Sequence, residues 1–126
     1  MTIHLATDHA GFAHKEAMKK YLEEKGYTVV DHGAYTLDTN DDYPDFVLPC
    51  AQAVAATEGD MGIIFGGSGE GEQMAANKIP GIRATEYYGG EKGAEILKLS
   101  REHNDANILS IGARFVSIEE SIAAVQ

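Results

Sequence analysis

A glycine-rich segment that ends in a glutamate is the part of this sequence best suited to chemistry. It spans residues 66–72 and has the sequence GGSGEGE, with four glycines in its first six positions. Glycines let a backbone approach a ligand closely, and they expose N–H groups that bind an anion or a developing oxyanion. A flexible turn rarely needs so many glycines. The segment therefore predicts a ligand-binding loop.

Glu72 follows these backbone donors directly. A carboxylate beside an oxyanion site is suited to removing a proton from a carbon next to a carbonyl group. A glutamate that only complements a helix dipole would stand at the same place in the first turn of a helix. The residue types alone leave both interpretations of Glu72 open.

Two common nucleotide-binding motifs do not fit this loop. The glycines at positions 67, 69 and 71 have the wrong spacing for the dinucleotide motif G-x-G-x-x-G. Gly66 and Gly71 have the spacing of a P-loop, but Glu72 and Gln73 stand where that motif needs Lys and Ser or Thr. Because a carboxylate there would repel a polyphosphate, no nucleotide cofactor is expected.

Strand-like and helix-like segments alternate along the chain and must position this loop. Strands are predicted over 3–7, 27–31, 61–65, 82–87 and 107–111, and helices over 12–25, 44–57, 94–102 and 118–125, with a further helix through Met74 and Ala76. This alternation predicts a single α/β domain over residues 1–126. The expected architecture is a three-layer α/β/α sandwich around a mostly parallel, five-stranded, Rossmann-like sheet.

Ligands of such sheets bind at the carboxyl ends of the strands. This rule selects three places: Asp8 and His9 after the first strand, the glycine loop after the third, and residues 112–114 after the fifth. Asp8 would also suit a purely structural role as the cap of the first helix.

Composition limits the function classes. A net charge of −10 argues against a nucleic-acid surface, which needs a basic patch. No apolar run approaches the roughly 20 residues of a membrane span, and the first residues lack a signal sequence, so no membrane partner and a cytoplasmic location are expected. Cys50 is the only cysteine. The lysines at 15, 19, 20 and 25 predict a solvated helix face.

Five separated motifs stand in register along nearly the whole chain. They are DHAGF at 8–12, DYP at 42–44, GGSGEGEQMAANK at 66–78, PGIRA at 80–84 and REHNDAN at 101–107. In order and spacing they resemble the ribose-5-phosphate isomerase type B family, which also includes galactose-6-phosphate isomerase subunits. Several motifs in register are far more specific than one glycine loop.

The resemblance implies an aldose–ketose isomerase that works through an enediolate without metal or nucleotide. One branch of the family uses a cysteine base at the position of Gly66, and this chain lacks it. A second branch carries GGSGxGEQ with the glutamate as base, and this chain has that form. The resemblance therefore assigns the base to Glu72 and implies that no cofactor is needed.

The resemblance also assigns residues around the sugar. It implies that Asp8 and His9 contact substrate hydroxyls and that Tyr43 lines the same pocket. Ser68 would assist proton movement between the two substrate oxygens. The backbone N–H groups of the loop, including Gly67, Gly69 and Gly71, would hold the enediolate oxygen.

The resemblance assigns three further residues, which come later in the sequence than the loop. His103 would open the cyclic sugar, Asn104 would bind substrate, and Arg114 would bind the phosphate. The family's members are dimers whose sites borrow residues from the neighbouring subunit, so a homodimer or higher homo-oligomer is expected here.

Simpler roles suit several of these residues. His103 would satisfy carbonyl groups at a helix end, and its local sequence alone favours that role. Tyr43 would pack at a helix entry, Ser68 would form a turn, and Arg114 would make a surface ion pair.

The sequence departs from the family at two places. The family's chain continues with a long C-terminal helix whose arginines and histidine grip the phosphate, so a C-terminal helix truncated relative to the family is expected, with Arg114 as the visible phosphate ligand. The stretch 85–99 is a few residues longer than usual. It either reshapes the selectivity for sugar length or is a surface insertion.

The leading hypothesis is interconversion of ribose 5-phosphate and ribulose 5-phosphate with Glu72 as base. Isomerisation of a hexose 6-phosphate and a non-catalytic sugar-phosphate-binding subunit are the alternatives. A metal-dependent enzyme that uses Asp8, His9 and His103 is disfavoured, because the sequence has no H-E-x-x-H or comparable ligand spacing.

Overall fold

The computed structural model describes residues 1–125 and confirms the predicted alternation of strands and helices. Its strands are β1 (Thr2–Thr7), β2 (Thr28–Asp31), β3 (Met61–Gly66), β4 (Ala84–Tyr87) and β5 (Ile108–Gly112), and its helices are α1 (Phe12–Glu24), α2 (Pro44–Ala56), α3 (Glu70–Ala76), α4 (Gly90–Asn104) and α5 (Ile118–Val125). A short 3-10 turn, His9–Gly11, joins β1 to α1.

The starts of two elements differ by two residues or more from the prediction. Strand β4 begins at Ala84 rather than at 82, because the Arg83 N–H donates to the side chain of Asn107 and not to a neighbouring strand. Helix α4 begins at Gly90, four residues before the predicted start. Gly89 precedes it with a φ of 94°, a conformation that glycine adopts without steric cost.

The five strands form one sheet in the order β2-β1-β3-β5-β4. All four strand pairings are parallel, so the sheet is wholly rather than mostly parallel. Strand β2 pairs with β1 on one of its edges, and β3 pairs with β1 on the other edge. The direction in which successive strands are added therefore reverses between β1 and β3. Ligand sites of open α/β sheets lie at such a reversal, outside the carboxyl ends of the strands. This places the end of β1 and the end of β3 side by side.

Apolar side chains on the two faces of the sheet form two separate cores. Leu5 and Phe65 pack with Met18 and Leu22 of α1 on one face. Ala6 and Ile64, their strand neighbours, pack on the other face with helix α2. The period-two alternation of strand side chains explains this division. Helices therefore cover both faces, which confirms the α/β/α sandwich.

Lys15 departs from the predicted solvated helix face. It lies on the same side of α1 as Met18 and Leu22, and its side chain is fully buried. Its Nζ atom lies 2.6 Å from Oδ2 of Asp31 and 2.9 Å from Oε1 of Glu16. Helical spacing turned this lysine toward the sheet, where a carboxylate at the end of β2 compensates its charge.

In the part of the chain that the structure describes, every helix is too short or too polar to cross a membrane.

Candidate active site

The residues that follow β1 lie at the reversal point of the sheet. Asp8 is buried, and its Oδ1 atom accepts a hydrogen bond from the Ala10 N–H at 3.0 Å. Asp8 therefore caps the 3-10 turn His9–Gly11 and not helix α1 as predicted, since the residue at the N-cap of α1 is Gly11. His9 follows with 28% of its side chain exposed, so its ring is within reach of a ligand.

The glycine loop brings the Glu72 carboxylate back over the end of β3. A Cβ atom added to Gly66 would overlap the carboxylate oxygens of Glu72, so the carboxylate occupies the space that any other side chain at 66 would fill. Gly69 has a φ of 85°, which lets the loop turn into α3. The first turn of α3 therefore buries Glu72 against the strand end rather than exposing it to solvent.

The surroundings of Glu72 favour its protonated form. Burial raises the pKa of its carboxyl group, and the nearby charge of Asp8 raises it further, while a hydrogen bond from its own backbone N–H acts in the opposite direction. A carboxylate whose pKa moves up toward neutral pH is a stronger proton acceptor. A glutamate that only complemented the helix dipole would be exposed to solvent, whereas only 4% of the surface of Glu72 is exposed.

Tyr43 approaches the glycine loop from the residue that precedes α2. A Cβ atom added to Gly71 would lie 2.8 Å from the Tyr43 hydroxyl oxygen, so the phenol lies directly over the loop. The structure thus brings together Asp8, Tyr43 and Glu72, which are more than 60 residues apart at the extremes.

The segment after β5 fixes the other side of the loop. The N–H groups of Ala113 and Arg114 donate to the carbonyl oxygens of Gly66 and Gly67 at 2.7 and 3.1 Å. The Arg114 guanidinium lies against Gly67, with Nη1 3.0 Å from the position of an added Cβ atom, and its charge opposes part of the rise in the pKa of His9 that the hydrogen bond to Asp41 causes. The exposed Arg114 guanidinium therefore stands beside the glycine loop.

Ser68 is exposed at the tip of the loop. Its Oγ atom accepts a hydrogen bond from the Glu70 N–H at 3.2 Å, which is the turn-forming role. In the same position Ser68 lines a cavity together with Glu86, Tyr87 and Phe115. Its backbone carbonyl packs so closely on Gly112 that an added Cβ there would overlap it.

His103 and Asn104 lie elsewhere in the chain. They end α4, which runs back against the direction of the strands. The next residue, Asp105, binds Arg83 at 3.0 Å just before β4 begins. Both residues are therefore at the amino ends of the strands, whereas Glu72 is at the carboxyl ends. Within one chain the structure does not bring His103 and Asn104 to the other predicted site residues.

Asp41 lies against His9, although the sequence did not single it out. Its Oδ1 atom lies 2.7 Å from Nδ1 of His9 and 3.0 Å from the His9 backbone nitrogen. Asp8, His9 and Asp41 each place one ligand atom within 4.8 Å of the others, close enough to share a divalent cation. Within this cluster His9 and Asp41 are hydrogen-bonded to each other.

Glu86 is a second buried carboxyl group that the sequence did not reveal. It lies on β4 beneath the loop, with Oε1 3.0 Å from the position of a Cβ atom added to Gly69. Among residues 1–125 this oxygen has no hydrogen-bond partner. Burial, with the charges of Glu70 and Glu72, raises the pKa of Glu86 to about 7. Its charge therefore changes near neutral pH.

Replacing Glu86 by Gln is expected to flatten the pH dependence of stability. The folded pKa of about 7 exceeds the usual 4.5, so below pH 4.5 the two proteins have similar proton-linked stability. As pH rises toward 7, the wild type loses stability because the unfolded chain releases this proton more readily. At pH 8 the variant is expected to be more stable by roughly 2–3 kcal/mol. Urea unfolding from pH 5 to 8.5 measures this difference.

The exposed Glu95 on α4 provides a matched control. Glu95→Gln should leave the dependence of unfolding free energy on pH as in the wild type. Equal slopes for the two variants would show that Glu86 ionises like a surface carboxylate.

Comparison with known proteins gives a consistent family. The profile of the Ribose/Galactose Isomerase family matches residues 3–126. Ribose-5-phosphate isomerase B of Mycolicibacterium paratuberculosis is 41% identical over 125 residues, which are 99% of this chain and 76% of that protein. The Escherichia coli enzyme of the same name is 41% identical over 115 residues, 89% of this chain and 72% of its own length.

Solved structures agree with the sequence relatives. Ribose-5-phosphate isomerase B from Mycoplasma genitalium, crystallised with bound ribulose 5-phosphate, superimposes with a TM-score of 0.91 at 38% identity, covering 98% of this chain and 80% of that one. The Clostridium thermocellum enzyme gives a TM-score of 0.90 at 42% identity, with coverages of 99% and 81%. On this sequence and structural similarity, the chain belongs to the ribose/galactose isomerase family.

Proposed function

We propose that this chain is an aldose–ketose isomerase that interconverts ribose 5-phosphate and ribulose 5-phosphate. The observation that carries the proposal is the Glu72 carboxylate, buried on the backbone of Gly66 at the reversal point of the sheet, with a raised pKa. A base with these surroundings suits removal of a proton from a carbon acid. The named activity of the relatives supplies the substrate.

The proposed reaction consists only of proton transfers. The Glu72 carboxylate takes the proton from C2 of the open-chain aldose, and the electron pair forms a C1–C2 double bond while the carbonyl oxygen becomes an enediolate oxygen. A proton then moves from O2 to O1, with Ser68 as its carrier. The protonated Glu72 returns its proton to C1, which leaves a ketone at C2. The chemistry is internally balanced, so we expect no cofactor.

The loop and its neighbours hold the reacting carbons. We assign the enediolate oxygen to the backbone N–H groups of the loop, among them Gly67, Gly69 and Gly71, because donors fixed in advance stabilise charge as it develops. Asp8 and His9 are assigned to the sugar hydroxyls and Tyr43 to the pocket wall. Their support is that all three lie at the same strand ends as Glu72.

Arg114 is assigned to the phosphate. Its guanidinium is exposed at the edge of the loop, where a bidentate contact with a phosphate is possible. On a chain whose net charge is −10, the guanidinium provides a local positive charge that attracts an anionic substrate.

We further propose that the working unit is a cytoplasmic homodimer in which His103 and Asn104 act in the partner's site. The two residues are exposed and lie at the amino ends of the strands, whereas Glu72 of the same chain lies at the carboxyl ends. A two-fold arrangement brings one surface of each subunit to the other, so both sites would be completed together. His103 would then open the sugar ring by moving a proton to or from the ring oxygen.

The direct test is conversion of ribose 5-phosphate by the purified chain with a strong chelator present. Ribulose 5-phosphate should form at a rate proportional to enzyme concentration. Conversion of a hexose 6-phosphate alone would change the substrate assignment. Binding without conversion of either sugar would favour a non-catalytic binding subunit, and conversion that disappears with chelator would reveal a metal requirement.

Mixing two inactive variants is expected to restore activity if the sites are shared. Glu72→Gln and His103→Ala are each expected to lose at least about 100-fold in kcat. After unfolding and refolding together, hybrid dimers contain one intact site, made of Glu72 from one chain and His103 from the other. Statistical pairing gives about a quarter of the wild-type activity. A coupled assay of the refolded mixture measures the recovery.

The matched control mixes His103→Ala with the double variant Glu72→Gln/His103→Ala. No pairing of these chains produces an intact site, so activity should stay at the level of the single variants. Recovery in this control, or none in the test mixture of chains that do dimerise, would contradict a shared site.

A further inference from the structure

Asp41 makes the closest polar contact with His9 although 32 residues separate them. One oxygen, Oδ1, accepts the His9 backbone N–H at 3.0 Å and contacts the ring nitrogen Nδ1 at 2.7 Å. Because both bonds end on one atom, the carboxylate holds the backbone and the imidazole of His9 in a fixed relation. The segment between β2 and α2 is thereby attached to the end of β1.

The Asp41 carboxylate is itself well shielded. Its side chain is 9% exposed, and its second oxygen, Oδ2, is buried without a hydrogen-bond partner among residues 1–125. A buried carboxylate is costly unless a donor or a positive charge compensates it. Here the compensation comes from His9, so the carboxylate acts almost wholly on that one residue.

The contact decides which ring nitrogen of His9 faces a ligand. With Nδ1 donating to Asp41, Nε2 is the nitrogen left for another partner. The charged groups that act on the ring are Asp41, Asp8 and Arg114. The hydrogen bond that the ring makes to Asp41 is the main cause of the raised pKa of His9; the charges of Asp8 and Asp41 add to the rise, and burial and the charge of Arg114 oppose it.

We propose that Asp41 is a positioning residue, which holds His9 so that its Nε2 atom faces a sugar hydroxyl group at the strand ends beside Glu72. The proposal rests on the proposed isomerase function, since His9 is there assigned to the substrate. Asp41 would not touch the sugar, and it would act through the imidazole. This pairing follows the general pattern in which a carboxylate fixes the tautomer and orientation of a working histidine.

The first test needs no turnover. Asp41→Asn keeps an oxygen acceptor for Nδ1 but removes the charge, so the fold should persist. In NMR titrations, with the signal assigned through His9→Gln, the wild-type His9 ring should titrate above 6.5, and Asp41→Asn should lower that pKa by roughly half to one unit. Asp42→Asn, a change at the exposed neighbour, should leave it unchanged. An unaltered His9 titration in Asp41→Asn would overturn the proposal even if the chain proves not to be this isomerase.

The second test measures kcat/KM for ribose 5-phosphate. Asp41→Asn should lower it by roughly 10–100-fold, and Asp42→Asn should stay within about twofold of the wild type. In a His9→Gln background, Asp41→Asn should have little further effect, because the two residues act as one unit. Fully additive losses would overturn the positioning role, whereas absence of activity in the wild type would instead refute the proposed function.

Discussion

Replacing Glu72 by Gln is expected to reduce isomerase turnover by about 10³-fold or more while the protein stays folded. Gln has nearly the same volume, so it fills the space over Gly66 that the carboxylate occupies. Its amide has no basic oxygen and cannot accept the proton from C2. The measurement is kcat for ribose 5-phosphate, with circular dichroism and thermal unfolding as checks on the fold.

Substrate binding separates loss of the base from loss of the pocket. Calorimetry should show that Glu72→Gln still binds ribose 5-phosphate. Exchange of the C2 hydrogen with deuterium oxide should disappear along with turnover, because both need the same base. Glu70→Gln is the matched control: its carboxylate lies two residues away in the same loop but binds the Tyr88 hydroxyl group. We expect it to stay within a few-fold of wild-type kcat.

The raised pKa of Glu72 adds a pH dependence to this prediction. The base works in its ionised form, so kcat should fall as pH drops through a pKa above the usual 4.5. Turnover that persists in Glu72→Gln, or a wild-type rate that is independent of pH down to 4.5, would assign proton abstraction to another group.

The fold could be predicted because its signals are local. The apolar strands, the glycines that end helices and the alternation of element types each depend on nearby residues. The prediction erred at Arg83, whose N–H donates to the side chain of Asn107, 24 positions away. That hydrogen bond is set by tertiary structure, and no local pattern reveals it.

Motifs in the sequence marked only part of the candidate site. The glycine loop and Asp8 were recognisable, but Asp41 stands in a polar, turn-rich segment where an aspartate needs no special explanation. Glu86 lies in a short strand, and its burial depends on how α3 and the loop cover the end of β4. Local sequence also could not show that His103 and Glu72 lie at opposite ends of the strands, since that depends on the direction in which α4 runs.

Replacing Lys15 by Met is expected to destabilise the protein by roughly 3–5 kcal/mol at pH 7. Met fills much of the same buried space, so the loss reports the charge. The change would leave Asp31, whose side chain is 9% exposed, without the ammonium 2.6 Å away. Lys19, 3.7 Å from the same carboxylate, and the Gly33 N–H would compensate only in part. Urea unfolding at pH 7 measures the free energy.

Lys20→Met on the same helix is the matched control, because Lys20 is exposed and its replacement should change stability by less than about 0.5 kcal/mol. Adding Asp31→Asn to Lys15→Met should recover part of the loss, since it removes the uncompensated buried charge. Equal losses for the two lysine variants would mean that Lys15 contributes as a solvated residue.

The ion pair of Lys15 and Asp31 also bears on the site. Asp31 accepts a hydrogen bond from the Gly33 N–H, and the Gly33 carbonyl accepts one from the Thr7 N–H at the end of β1. Lys15 thereby anchors the start of the segment that carries Asp41 and Tyr43 to the pocket.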